Sequence, residues 1–204
     1  MTGSEPWVYI VDDDDDVRTA LSRSLRKRGM QVEEFADANS FLDAFDRNRQ
    51  SCLVLDYGLP GMDGLQLQQQ LIEEEAAIPV IFITGHGGIP ESVRATQAGA
   101  IDFLEKPFSL SVLIERIGAA LDLSNQLHED QRQRASLDAK LATLTTREAE
   151  TLEHILANPS QVSSKEIALA LGISPRTADI HRARIMQKMD VKNLLELVHT
   201  CMNR

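Results

Sequence analysis

Cys52-Leu-Val-Leu-Asp56-Tyr-Gly-Leu-Pro-Gly-Met-Asp-Gly64 is the stretch on which the fold turns. A short apolar run, Cys52 to Leu55, ends on a carboxylate, and the chain then enters a segment broken by Gly58, Pro60 and Gly61. Runs this short and this apolar suit a strand covered on both faces, as in a parallel sheet with helical crossovers.

Outward from this stretch, the first half of the chain alternates strand-like and helix-like pieces. Strands are expected over Trp7–Val11, Gln31–Phe35, Cys52–Leu55, Val80–Thr84 and Ala100–Leu104. Between them, Val17, Leu21 and Leu25 recur every four residues before Gly29 supplies a stop. Phe41, Leu42 and Phe45 mark a second helix, Leu67, Leu71 and Ile72 a third, and Pro90-Glu91 opens a fourth. The fifth begins near Ser109 and carries Leu113, Ile117 and Leu121 on one face. Five such units with right-handed crossovers give an α/β doubly wound, five-stranded parallel sheet.

In an open parallel sheet, chemistry lies beyond the carboxyl ends of the strands. The first strand is followed by Asp12 to Asp16, the third by Asp56, the fourth ends at Thr84, and Lys106-Pro107 lies two residues past the fifth. Carboxylates, a hydroxyl and an ammonium on one rim are the groups needed for Mg²⁺-assisted phosphoryl transfer to a carboxylate. Asp56 is the expected phosphoacceptor, with Thr84 and Lys106 binding the oxygens of the added group. Any adjacent pair of the poly-Asp run would serve a metal on composition alone. The strand end at Val11 puts Asp12 and Asp13 at the rim and assigns Asp14 to Asp16 to the start of the first helix. An aspartyl-phosphate hydrolase of the haloacid-dehalogenase type needs a second Asp two residues after its nucleophile; Gly58 stands there, so an enzyme is not expected.

The net charge of -10 at pH 7 conceals an asymmetry. Residues 1–122 carry 21 acidic against 10 basic side chains, whereas residues 123–204 carry 10 against 11. Only the second part can approach a nucleic acid without repulsion. Residues 123–142 read as a polar helical linker, preferred here over a flexible tether because they lack Gly and Pro. Residues 143–204 then hold four short helices. Thr145 with Glu148 and Ser163 with Glu166 form capping boxes, and Ser174-Pro175 is an N-cap followed by proline at the first helical position. The turn Gly172-Ile173-Ser174 joins two short helices, the latter basic, as in a small all-α helix-turn-helix domain. Ile180, Ile185 and Met189 are possible packing positions on that last helix, and His181 is read as a structural residue. Phosphate contacts are expected from Arg176, Thr177, Lys188 and Lys192, and base contacts from Asp179, Ile180, Arg182 and Ala183. Asp179 is suited to accept from a cytosine amino group.

Apolar residues make up 43% of the chain, and no run approaches the roughly 18 apolar residues of a membrane helix. Met1–Pro6 is polar and unlike a signal peptide, so cytoplasmic residence is expected. Cys52 and Cys201, far apart, are expected to be buried thiols rather than a disulfide.

With its Asp12-Asp13, Asp56, Thr84 and Lys106-Pro107-Phe108, the first half resembles the receiver domain of two-component response regulators of the NarL/FixJ type. The second, through Leu144-Thr-Thr-Arg-Glu148, Lys165-Glu-Ile-Ala168, Leu171-Gly-Ile-Ser174, Arg176-Thr177, His181-Arg182 and Lys188-Met189, resembles the LuxR-type helix-turn-helix. Ala178 and Asn158-Pro159 depart from the common pattern. The resemblance implies a flavodoxin/CheY-like strand order 2-1-3-4-5, a metal ligand in the Gly58 backbone carbonyl beside Asp12, Asp13 and Asp56, a cis peptide at Lys106-Pro107 and an aromatic switch at Phe103. It also implies phosphorylation by a sensor histidine kinase, homodimerisation on phosphorylation, binding to double-stranded promoter DNA, a possible contact with RNA polymerase, and activation of transcription.

Overall fold

The computed structural model describes residues 6–85, 99–160 and 162–202. They fall into two compact units, Met1–Glu129 and Asp130–Arg204.

In the first unit, strands β1 (Trp7–Val11), β2 (Gln31–Phe35), β3 (Ser51–Asp56), β4 (Val80–Thr84) and β5 (Asp102–Glu105) form one parallel sheet in the order β2-β1-β3-β4-β5. Helices α1 (Asp15–Arg26), α2 (Ala38–Ala44) and α3 (Gly64–Glu73) connect them, and α4 (Leu110–Ala142) follows β5. Because strand side chains alternate faces, each central strand feeds two cores. Tyr9, Val11, Leu53, Leu55 and Phe82 pack with Phe41, Leu67 and Leu71 on one side. Val8, Ile10, Cys52, Val54, Ile81 and Ile83 pack with Leu21, Leu25, Leu113 and Ile117 on the other. The sheet is thus covered on both faces, as its apolar strands require.

Three elements differ in their bounds from the sequence reading. Strand β3 is longer at both ends, and Asp56 is itself a ladder residue, paired with Ile83. Strand β5 begins at Asp102 rather than Ala100, because pairing starts at Ile81↔Asp102 and outweighs the apolar pattern that favoured Ala100. Phe45 lies beyond α2, in extended backbone, yet still packs on the core. Ile72, grouped by spacing with Leu67 and Leu71, is 49% exposed. The helix expected from Pro90 lies outside the described residues. Asp14 is the N-cap of α1, with Asp15 and Asp16 in its first turn, and Gly29 takes a positive φ of 82° in the following turn.

In the second unit the last turns of α4 contribute Leu137 and Leu141 to a core shared with Leu152, Ile185, Met189 and Leu197. Around it stand α5 (Thr146–Ala157), α6 (Ser164–Leu171), α7 (Pro175–Met189) and α8 (Leu194–Met202). Both expected capping boxes are present, Pro175 opens α7 after Ser174, and Gly172 closes α6 in the left-handed conformation. A second core joins Ile155, Ile167, Ala168 and Ala178. Cys52 is fully buried, which pushes its thiol pKa up to about 12, whereas Cys201 is only half-buried. No described helix is long and apolar enough to cross a membrane.

Candidate functional site

The parallel sheet aims the carboxyl ends of β1, β3, β4 and β5 at one rim, and the expected groups sit there. Asp12, one residue past β1, is fully buried and accepts from the Asp14 backbone N–H at 2.9 Å. Asp56, the last residue of β3, is 7% exposed, and its Oδ2 accepts from the Gly58 N–H at 2.7 Å. Lys106 links the two carboxylates: its Nζ is 2.7 Å from Asp12 Oδ2 and 2.7 Å from Asp56 Oδ1. Thr84 ends β4, is buried, and its carbonyl accepts from the Lys106 N–H at 2.7 Å. The Lys106-Pro107 peptide is cis. Asp13 is exposed at the rim.

Burial raises the Asp12 pKa above its ordinary value, against the opposing pull of Lys106 and the Asp14 N–H. For Lys106, burial is the largest single influence and favours the neutral amine, yet the hydrogen bonds and charges of Asp12 and Asp56 together carry its pKa upward. The ammonium is therefore a fixed cation between two acids. It holds Asp56 in place with one oxygen toward the lysine and the other toward the backbone.

Two carboxylates converging on one point are hard oxygen donors of the kind Mg²⁺ takes, since that ion keeps several waters and uses few protein ligands. Among the described residues no group of three or more His, Cys, Asp or Glu side chains is gathered to hold a metal. The fit thus rests on Asp12 and Asp56 at the centre and on Asp13 at the rim.

Two features of the site were not legible in the sequence. The start of α3 lies against the end of β3: a Cβ on Gly64 would stand 2.7 Å from the Asp56 carbonyl oxygen and 2.8 Å from the Phe82 ring, and the Gly64 N–H donates to the Tyr57 carbonyl at 3.2 Å. Phe103 packs edge-on to Tyr57, with ring centres 6.0 Å apart, and lies 6.4 Å from Phe82, half-buried on the α3 side of the sheet. Tyr57 is the immediate neighbour of Asp56.

In the second unit the residues expected to meet DNA all lie on or beside α7, with unequal availability. Arg176, Asp179, Ala183 and Lys192 are exposed, and Thr177 is half-buried. Ile180 is 44% exposed, so it is not a packing residue; Ala178, Ile185 and Met189 form the inner face instead. Arg182 is mostly covered, with Nη1 2.7 Å from Ser164 Oγ. Lys188 is engaged inside the unit: its Nζ is 2.6 Å from Glu148 Oε2 and 2.8 Å from the Thr143 carbonyl. Glu148 is 1% exposed, and Lys188 together with the Thr145 N–H holds its carboxyl at a pKa of about 2. Spacing alone read Glu148 as a cap and Lys188 as a phosphate contact; their pairing joins the start of α5 to the end of α7. His181 is half-buried, and its Nδ1 is shielded without a hydrogen-bond partner.

Residues 8–118 match the response regulator receiver domain, and residues 142–201 match the LuxR family of bacterial regulatory proteins. The chain is 41% identical over 198 residues to the response regulator protein TmoT of Ectopseudomonas mendocina, covering 97% of this chain and 89% of that one. It is 39% identical to the transcriptional regulatory protein FixJ of Azorhizobium caulinodans, covering 94% and 89%. A low-resolution structure of the response regulator StyR superposes with a TM-score of 0.84 at 40% identity, over 98% of this chain and all of that one. The chain belongs to the response regulators of the NarL/FixJ type: it is a two-component transcriptional regulator with a receiver domain and a LuxR-type DNA-binding domain, and not an enzyme.

Proposed function

We propose that Asp56 accepts a phosphoryl group from a sensor histidine kinase and that the phosphorylated chain dimerises on promoter DNA as an activator. The observation that carries this reading is Lys106 Nζ bridging Asp12 and Asp56 at 2.7 Å each, at the rim of a parallel sheet. An Asp56 oxygen attacks the phosphorus of the kinase phosphohistidine. As the new O–P bond forms, the P–N bond breaks, and its electron pair returns to the imidazole nitrogen. Lys106 and the Thr84 hydroxyl bind oxygens of the transferred group, whose charge of about -1.5 to -2 adds to an already acidic rim. Asp12, Asp13, Asp56 and the Gly58 carbonyl would hold Mg²⁺, which would neutralise charge on the transferring group.

Phosphorylation then draws Thr84 inward, and Phe103, now packed against Tyr57, follows it, so one face of the receiver changes shape and favours a dimer. One recognition helix reads few base pairs, and two copies on related half-sites give useful specificity. In this scheme residues 1–122 are the receiver, 123–142 the linker and 143–204 the DNA-binding domain. Arg176, Thr177 and Lys192 contact phosphates, Asp179, Ile180 and Ala183 face the bases, Arg182, expected to join them, is instead held against Ser164, and Lys188 chiefly anchors α7. RNA polymerase is the natural further partner of such an activator, and the cytoplasm its setting. The reading is tested by treating wild-type and Asp56→Ala protein with a small-molecule phosphodonor. Phosphate-retaining gels and sedimentation should show a phosphorylated, dimer-enriched wild type and an unchanged D56A monomer. Identical behaviour of the two proteins overturns it.

A further inference from the structure

Three side chains meet across the helix-turn-helix. Ser164, the first residue of α6, lies between Asp179 and Arg182 of α7. Its hydroxyl donates to Asp179 Oδ1 and accepts from Arg182 Nη1 at 2.7 Å. The same guanidinium nitrogen is 3.7 Å from Asp179 Oδ1. A serine hydroxyl has one proton, so with that proton on Asp179 and a lone pair facing Arg182 its orientation is fixed.

The two charged residues are held differently. Arg182 is 24% exposed and its Nε is shielded without a hydrogen-bond partner, so the guanidinium is drawn back against α6. Asp179 is 65% exposed, and the contacts to Ser164 and Arg182 both use Oδ1. Neither contact uses the second oxygen, Oδ2. A carboxylate so near DNA meets phosphate repulsion, which the adjacent guanidinium offsets.

We infer that Asp179 is a specificity-determining residue that accepts a hydrogen bond from the exocyclic amino group of a cytosine, and that Ser164 is the residue that positions it. A carboxylate only accepts. In the major groove cytosine offers an amino donor, whereas adenine sets its amino group beside the N7 acceptor, which repels a carboxylate. This assignment rests on the reading of α7 as the base-contacting helix and goes beyond it by naming the base and the residue on the other helix that fixes the reader.

The test selects DNA from a random pool with the full-length, phosphodonor-treated chain and compares wild type with Ser164→Ala, Ser164→Thr, Asp179→Ala and Arg176→Ala. Wild type should require cytosine at one position of each half-site. Asp179→Ala should flatten that preference by about tenfold or more, the scale of one good base contact. Ser164→Ala should flatten it partway at the same position only, and Ser164→Thr, which keeps the hydroxyl, should restore it. Full retention of the preference in S164A, or in D179A, overturns the inference while leaving α7 as the reading helix, provided R176A weakens binding. If R176A and D179A both bind and select like wild type, the reading of α7 falls as well.

Discussion

Lys106 Nζ stands 2.7 Å from Asp56 Oδ1, although β3 and β5, which carry the two residues to the rim, are separated in the sheet by β4. The lysine therefore reaches across a whole strand to grip Asp56. Replacing Lys106 with alanine should leave Asp56 able to take a phosphoryl group from a small donor but remove the cation that reads its arrival. The expected result is phosphorylation on a phosphate-retaining gel without the gain in dimer seen by sedimentation. A K106A protein that dimerises on phosphorylation like wild type would remove Lys106 from the switch.

The poly-Asp run gives a second prediction. Asp13 is exposed at the rim, whereas Asp15 sits in the first turn of α1 and ion-pairs with Arg18. Asp13→Ala should abolish Mg²⁺-dependent phosphorylation, and Asp15→Ala should retain most of it. Measured with a phosphodonor over a Mg²⁺ titration, equal losses would place the metal pair elsewhere in the run.

Gly64 leaves no space for a side chain, because the nearest atoms to an added Cβ are the Asp56 carbonyl oxygen and the Phe82 ring. Backbone cannot give way as a flexible side chain can, so Gly64→Ala should cost about 1–3 kcal/mol through overpacking. The chain has one tryptophan, Trp7 in β1, so fluorescence during urea unfolding reports on this unit. An unshifted midpoint in G64A would contradict the close approach.

Acid should loosen the second unit through Glu148. Its carboxyl is held at about 2 in the folded chain, against an ordinary value of 4.5, first by Lys188 and then by the Thr145 N–H. A lowered carboxylate pKa gives stability that is complete above the ordinary value and lost as pH falls from 4.5 toward about 2. Glu148→Gln should therefore flatten the acid limb of helix loss followed by circular dichroism. Lys188→Met should lower stability at neutral pH by about 2 kcal/mol, below the usual cost of breaking a buried pair because the lysine is partly exposed.

The two isoleucines of α7 should separate packing from recognition. Ile185 is fully buried and Ile180 is 44% exposed. Ile185→Ala should cost about 2–5 kcal/mol of stability. Ile180→Ala should stay within about 0.5 kcal/mol yet change DNA affinity in a binding titration.

The fold was legible wherever a residue's role is local or periodic. Alternating apolar strands gave the sheet, because both faces are covered, and Thr145, Ser163 and Ser174 gave helix starts, because a cap is settled within four residues. The rim was legible because strand ends bring Asp12, Asp56, Thr84 and Lys106 together whatever the helices do. Contacts between distant residues were hidden. Nothing in the spacing says that Lys188 turns inward to Glu148, that Ser164 of one helix holds Asp179 and Arg182 of the next, or that Gly64 rests on the Asp56 carbonyl. Ile180 misled for the same reason: its spacing fits an inner face, but Ala178 takes that place once α6 packs against α7.

The bond between Glu148 and Lys188 also sets a rule for anyone grafting a new recognition helix onto this scaffold. Positions from Arg176 to Arg184 can be exchanged for those of another regulator without touching the bond. A borrowed helix without a lysine at position 188 would leave Glu148 buried without its cation, although Ile185 and Met189 would still pack that end into the core. Such a chimera would present its new contacts on a weakened domain, so a lysine at 188 should be kept opposite the scaffold's Glu148.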